Sequence, residues 1–82
     1  MEDIRPELCT LRRTIGQALH AARQTRKLPL WKIEKQTGLS ARCVDQIELG
    51  KGETRLEDIL RLSRFLNLEM KIIFQEQRRD DM

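Results

Sequence analysis

The sequence predicts a mainly α-helical domain of four or five helices that ends in one β-strand. Apolar residues recur at steps of three and four over residues 8–26 and again over 56–66, as on the buried face of a helix. Gly38 and Ser40 separate two shorter apolar segments, which indicates a tight turn from one helix into the next. Over residues 68–74 the apolar residues alternate instead, which is the period of a strand.

The first helix is expected to run from residue 8 to about residue 26. Pro6 suits the first turn of a helix, but the polar residues 1–7 are otherwise predicted to form a flexible amino-terminal segment. His20 falls on the polar side, without a second histidine or a positioned nucleophile, so we do not expect it to be catalytic or to bind a metal. The apolar stripe consists of Leu8, Leu11, Ile15, Leu19 and Ala22.

Residues 28–51 have the pattern of a helix-turn-helix. A short second helix is expected at residues 29–37, and Gly38 can supply the left-handed turn after it. Ser40 can then accept a hydrogen bond from an early backbone amide of the third helix, which is expected to end at Gly50.

A fourth helix is expected after a loop at residues 50–53. Thr54 and Glu57 have the spacing of a capping box, in which each side chain bonds the backbone amide of the other residue. Asn67 tolerates the left-handed conformation that ends a helix. The helix-turn-helix domain is therefore predicted to span residues 8–67. Its fourth helix is expected to bury Leu56, Ile59, Leu60, Leu62, Phe65 and Leu66.

Residues 68–74 are predicted to form a dimerisation strand. A single strand leaves its backbone amides and carbonyls without partners, and since the chain has no second strand signal, we expect pairing with the same strand of a second subunit. A short fifth helix is the alternative. Residues 75–82 are charged and are predicted to be a disordered tail. The alternating apolar side chains of the strand are Leu68, Met70, Ile72 and Phe74.

Positive charge is concentrated in the helix-turn-helix part of the chain. The net charge is +3, but residues 11–55 contain ten basic and four acidic side chains, a net charge of +6. Residues 1–10 carry −2 and residues 56–82 carry −1. This distribution suits a surface that binds phosphate groups, although it also fits a basic surface that is merely soluble.

Other classes of protein are not indicated. Cys9 and Cys43 match neither a zinc motif nor a disulfide framework, so we expect two free thiols in a reducing compartment and no cofactor. The acidic amino terminus lacks the pattern of a signal peptide, and no apolar run approaches the ~20 residues that span a bilayer. We therefore expect a cytoplasmic, nucleoid-associated protein without membrane contact. No set of acid, base and nucleophile indicates an enzyme.

The outward side chains of the third helix suit the major groove of double-stranded DNA. Arg42 can donate two hydrogen bonds to a guanine edge or contact a phosphate, and Gln46, one turn later, can bond adenine or a neighbouring phosphate. Asp45 either accepts a bond from a cytosine amine or buttresses Arg42, and Ala41 can touch a thymine methyl group. The predicted base-reading residues are Ala41, Arg42, Asp45 and Gln46. The predicted phosphate-contacting residues are Ser40, Lys32, Lys51, Arg12, Arg26 and Arg55.

A set of residues between positions 11 and 68 carries a resemblance to a known family. They are Arg23, Leu28, Ile33, Gly38, Leu39, Ser40, Val44, Ile47, Glu48 and Gly50, followed by an amphipathic helix. This pattern resembles the phage repressor and Cro-type helix-turn-helix proteins. The resemblance implies a repressor that binds an inverted-repeat operator as a dimer, with half-sites about one helical turn, ~34 Å, apart. It also implies an ion pair between Arg23 and Glu48 that fixes the third helix against the first.

Four positions around the start of the second helix depart from the family. Pro29 replaces the usual Ser or Thr cap, so the helix start is expected to be distorted or shifted by one residue. Leu30 replaces a glutamine that contacts a phosphate, a contact that Lys32 or backbone amides would then make. Glu34 replaces an alanine, so we expect either a slight splaying of the helices or a contact to a nearby arginine. Trp31 is expected to pack on the amino-terminal extension or, alternatively, to lie exposed for a partner.

The strand-like ending makes the predicted architecture similar to that of HipB-type antitoxins. The carboxy-terminal strands of these proteins pair across the dimer, and their partner toxin is a kinase. The similarity implies an antitoxin that represses its own operon and binds a kinase-like toxin. The alternative is a plasmid, phage or restriction-modification regulator that has no toxin partner.

Overall fold

The computed structural model describes residues 3–76, and four α-helices account for most of that part of the chain. They are α1 (Arg5–Thr25), α2 (Leu30–Thr37), α3 (Ala41–Leu49) and α4 (Leu56–Phe65). The predicted mainly helical class is therefore confirmed, with four helices in the described residues. Residues 1–2 and 77–82 lie outside the described residues. Part of the predicted flexible segment and most of the predicted disordered tail therefore also lie outside them.

α1 begins at Arg5, which is earlier than predicted. Pro6 occupies the first turn, where its missing N–H group costs nothing, and Glu7 places a negative charge near the positive end of the helix dipole. These residues extend the helix into the segment that the sequence predicts to be flexible. The predicted start of the first helix at residue 8 is therefore wrong by about one turn.

The start of α2 is regular despite its proline. Pro29 is the cap residue with an extended backbone, φ −75° and ψ 154°, and the helix begins one residue later than predicted, at Leu30. The fixed φ of proline is compatible with this conformation, so the lack of a capping side chain does not distort the helix. Gly38 then ends α2 in the predicted left-handed conformation, with a φ of 79°.

The capping box predicted at the start of α4 is wrong. α4 begins at Leu56, and no side chain in the described part of the chain caps its first turn. The hydroxyl group of Thr54 instead accepts a hydrogen bond from Arg12 Nη1 at 2.7 Å, and Glu57 accepts one from Arg55 at 3.1 Å. Both members of the expected box bond arginines, because charge-assisted hydrogen bonds are stronger than those from a neutral amide.

The hydrophobic core lies between the four helices. Its members are Leu19, Ile33, Leu39, Val44, Ile47, Ile59, Leu62 and Leu66. Leu56 and Leu60 of α4 were expected in this core but are exposed. They lie beside the buried stripe of α4, on a side that none of the other described helices covers.

α1 and α3 approach each other closely at Gly16, a contact that the sequence analysis missed. A Cβ atom on Gly16 would lie 2.5 Å from the carbonyl oxygen of Glu48, which is far inside van der Waals contact. The absent side chain of this buried glycine therefore lets the two helix backbones come together. α3 rests directly on α1 as a result.

The carboxy-terminal segment packs beside α4 and forms no strand within the described residues. Asn67 adopts the predicted left-handed conformation, with a φ of 58°, and the Leu68 amide donates to the Ser63 carbonyl at 2.8 Å. Leu68 and Met70 contact the core, whereas residues 72–74 are exposed. The described part of the chain offers no second strand for pairing, so the dimerisation strand stays a prediction.

Candidate nucleic-acid interface

The predicted base-reading positions share one side of α3, but they differ in exposure. Arg42 and Asp45 are exposed, and so is Leu49 one turn further on. Ala41 and Gln46 are half-buried. The opposite side of the helix lies in the core. Arg42 and Asp45 are therefore the polar side chains of α3 that are most accessible to another molecule.

Gln46 packs against the loop that follows α3. A Cβ atom on Gly52 would lie 3.1 Å from Gln46 Oε1, so the amide group of this side chain lies against the loop backbone. The backbone amide of Lys51 also donates to the Gln46 carbonyl at 2.9 Å. Gln46 thus supports the loop that carries Lys51, and its side chain is less free for base contact than the sequence indicates.

Two side chains cap the amino terminus of α3. Ser40 Oγ accepts a hydrogen bond from the Cys43 amide at 3.0 Å, as predicted. Glu34 Oε1 accepts one from the Ala41 amide at 2.7 Å, which joins α2 to α3. The expected contact of Glu34 to an arginine does not occur among the described residues, because the carboxylate is taken by the positive end of the helix dipole.

A buried ion pair joins the end of α3 to α1. Arg23 donates from Nε to Glu48 Oε2 at 2.7 Å and from Nη2 to Glu48 Oε1 at 2.9 Å, which is the pair implied by the family resemblance. Arg23 Nη1 also donates to the Leu28 carbonyl at 3.2 Å. The Glu48 side chain is 4% exposed and that of Arg23 18%, so solvent screens this pair weakly. The pair fixes α3 to α1 and to the segment before α2.

His20 is a third member of this cluster. Its Nδ1 lies 2.7 Å from Glu48 Oε1, and because an ionised carboxylate only accepts hydrogen bonds, the ring nitrogen donates. The helical pattern of the sequence predicts only that His20 lies on the polar side of α1, and it indicates no partner for the ring. The signal that could have found it is the spacing of three residues to Arg23, which puts both side chains on one side of the helix.

The charge state of Glu48 follows from two opposed influences. Burial is the largest and raises the pKa of Glu48, but the hydrogen bonds from Arg23 and His20 together outweigh it. The pKa of Glu48 therefore lies below its ordinary value, and the carboxylate stays ionised near neutral pH. The hydrogen bonding between Arg23 and Glu48 in turn raises the pKa of Arg23. The cluster is an ionic clamp under α3, and we call it the α1–α3 clamp.

Arg12 holds the loop between α3 and α4. Its Nη1 donates to the Thr54 carbonyl at 3.3 Å as well as to the Thr54 hydroxyl group. The guanidinium group is therefore engaged within the protein, and the side chain is half-buried. The structure places Arg12 as a tether for this loop instead of at an outward phosphate-binding position.

The other predicted phosphate contacts differ in how accessible they are. Lys32 on α2, Lys51 after α3 and Arg26 after α1 are exposed, and none of the three forms an ion pair within residues 3–76. Arg55 is exposed but bonds Glu57, which raises the pKa of Arg55. The Ser40 hydroxyl group serves as a cap. Lys32, Lys51 and Arg26 are thus the members of the predicted set best placed for phosphate.

Trp31 is not packed against the described part of the chain. Its surface is 64% exposed, so the expectation of packing is wrong and the exposed position of the alternative is observed, whereas the partner stays a prediction. Leu49 at the end of α3 is also largely exposed. Two large apolar side chains of the helix-turn-helix are thus available to a partner.

Features of a metal site or a membrane span do not occur in the described part of the chain. Residues 3–76 contain no group of three His, Cys, Asp or Glu side chains that could hold a metal ion. Cys9 and Cys43 are free thiols, and burial raises the pKa of the Cys43 thiol, which disfavours a reactive thiolate. No helix in the same range has an apolar stretch long enough to cross a bilayer.

Comparisons of the chain with protein-family models, with curated proteins and with solved structures gave no match. What the protein can do therefore follows from its own residues. They provide a short helix that is capped at its start and clamped at its end, with an exposed polar side and exposed basic residues before and after it in the chain.

Proposed function

We propose that the protein is a sequence-specific repressor that binds double-stranded DNA by placing α3 in the major groove. The observation that carries this proposal is that α3 is fixed to the rest of the domain while its Arg42 side chain stays exposed. A two-bond contact from an arginine to guanine needs a helix in a fixed position, because small displacements break one of the bonds. The ion pair of Arg23 and Glu48 in the α1–α3 clamp holds α3 in such a fixed position. Such a repressor acts on the nucleoid in the cytoplasm.

Exposed lysines support the same orientation on DNA. Lys32 precedes α3 in the chain and Lys51 follows it, and phosphate contacts on either side of a groove fix the register of the helix between them. The net charge of +6 over residues 11–55 favours association with a polyanion. Phosphate binding thus positions α3, and the side chains of Arg42 and Asp45 select sequence.

Dimerisation through residues 68–74 completes the proposal. Residues 72–74 are apolar and exposed, and an exposed apolar segment outside the helices is a template for a second strand. Pairing with the same segment of a second copy relates the two α3 helices by a two-fold axis. The expected operator is an inverted repeat with half-sites about one turn, ~34 Å, apart.

Selection from a random duplex library, followed by binding measurements on the full chain, tests this function. We expect enrichment of an inverted repeat. Arg42→Ala should lower the discrimination between bases at one base pair by about 1–3 kcal/mol, whereas Lys51→Ala should weaken binding to all sequences by the same factor. Arg61→Ala, which removes an exposed charge from α4, is the matched control. Failure to enrich any sequence would contradict the proposal.

Toxin neutralisation is a second candidate function, and the exposure of Trp31 favours it. Tryptophan is enriched at the energetic centres of protein interfaces. In this reading a kinase-like toxin encoded beside the chain docks on Trp31, and DNA binding serves autoregulation. Co-purification with the product of the neighbouring gene is expected, with loss of the complex but not of DNA binding in Trp31→Ala. Recovery of DNA without a stoichiometric protein favours a plasmid, phage or restriction-modification regulator instead.

A further inference from the structure

We propose that Glu34 is a positioning residue that keeps DNA phosphates away from the amino terminus of α3 and thereby increases discrimination between sequences. The proposal rests on the DNA binding proposed above. It concerns the start of α3, where the sequence predicts a Ser40 cap and a Ser40 phosphate contact but gives Glu34 no role beyond a slight splaying of the helices or a contact to an arginine. The Glu34 carboxylate and the Ala41 amide, 2.7 Å apart, are the groups that carry it.

The first turn of a helix is normally an attractive site for phosphate. Its early backbone amides have no partners within the helix, and the helix dipole adds positive potential. In α3 the Ala41 amide donates to Glu34 and the Cys43 amide donates to Ser40. Two of these early donors are thus occupied by side chains of the protein, and one of the two acceptors is a carboxylate.

A carboxylate at this point affects both geometry and charge. The bond from α2 to the Ala41 amide holds the start of α3, as the α1–α3 clamp holds its end. The negative charge also repels any phosphate that approaches the same amides. Since phosphate contacts carry no sequence information, weakening one of them leaves a larger share of the binding energy to Arg42 and its neighbours.

The two effects can be separated by substitution. Glu34→Gln keeps an oxygen that can accept the Ala41 bond but removes the charge, whereas Glu34→Ala removes both. Glu7→Gln, which removes an exposed carboxylate from the first turn of α1, is the matched control for net charge. Two quantities are measured on the full chain, namely hydrogen exchange of the Ala41 amide and affinity for a selected and a scrambled duplex at low and high salt.

We expect Glu34→Gln to retain slow exchange at Ala41 and to raise affinity for the scrambled duplex about threefold at low salt, an increase that disappears at high salt. The ratio of affinities for the two duplexes should fall. Glu34→Ala should also lose the protection of the Ala41 amide, and Glu7→Gln should change neither quantity. Unchanged affinities in Glu34→Gln, or unchanged exchange in Glu34→Ala, would overturn the proposal.

Failure of the proposed function has a different signature. If the wild-type chain binds no duplex, the role of Glu34 in discrimination fails together with DNA binding. If the wild-type chain binds DNA and the Glu34→Gln chain behaves identically, only the role of Glu34 is overturned. Exchange at Ala41 reports the capping bond in either case.

Discussion

Glu48 of α3 and Arg23 of α1 form a two-bond ion pair, with N–O distances of 2.7 and 2.9 Å, and His20 bonds the same carboxylate. The carboxylate thus bonds two side chains of α1, spaced three residues apart. At the other end of the helix, Glu34 and Ser40 bond the first amides. α3 is therefore restrained at both ends by side chains, and its exposed side is left to contact other molecules.

Glu48→Gln should destabilise the fold by about 3 kcal/mol, because it leaves the poorly exposed Arg23 without a counter-charge. Urea denaturation of the two chains measures the difference in the free energy of unfolding. Glu57→Gln is the control, since it removes the same charge from a largely exposed pair with Arg55 and should change stability little. Equal effects of the two substitutions would show that the α1–α3 clamp adds nothing beyond a surface ion pair.

The α1–α3 clamp should make the free energy of unfolding depend on pH in the acidic range. The pKa of Glu48 lies below its ordinary value of 4.5 in the folded chain and returns to that value on unfolding. The ionised carboxylate therefore stabilises the fold above the unfolded pKa, and this stabilisation is lost as the pH falls through the folded pKa. We expect the free energy of unfolding to fall more steeply with acidification in the wild type than in Glu48→Gln. Parallel pH profiles from denaturation curves would contradict this.

Gly16→Ala should destabilise the fold although alanine is the better helix former. The gain in helix propensity is about 1 kcal/mol, but the new methyl group would overlap the carbonyl of Glu48, and overpacking costs about 1–3 kcal/mol or more. Thermal denaturation measures the net loss. Gln17→Ala, at the exposed neighbouring position on α1, is the control and should be neutral. A stabilised Gly16→Ala chain would show that α1 and α3 can separate freely.

The helices and the turn between α2 and α3 could be predicted because their signals are local. Gly38 and Asn67 take the predicted left-handed conformations, and Ser40 caps α3, since each depends only on residues a few positions away. The Arg23 and Glu48 pair was implied by a family pattern. It could not have been derived from spacing alone, as its members lie 25 positions apart.

The errors concern polar residues whose partner lies outside the local sequence pattern. Thr54 has a local capping pattern, but Arg12 takes its hydroxyl group from 42 positions away. Gln46 has a helical face that points outward, yet it lies against Gly52. Glu34 was expected to accompany a slight splaying of the helices or to contact an arginine, and within residues 3–76 it bonds the Ala41 amide. In each case a contact that the local pattern does not contain decided the surroundings of the side chain.

A pair of substitutions at neighbouring isoleucines should decide how the carboxy-terminal segment associates. If residues 68–74 pair as strands across a dimer, Ile72 lies on the same face as Met70 and Phe74, while Ile73 lies on the other. Ile72→Lys should then abolish the dimer, because it buries a charge in the apolar face, and Ile73→Lys should leave it intact. Sedimentation velocity gives the mass of each chain. Loss of the dimer in both variants would contradict the alternation of a strand, and a wild-type monomer would contradict dimerisation through this segment.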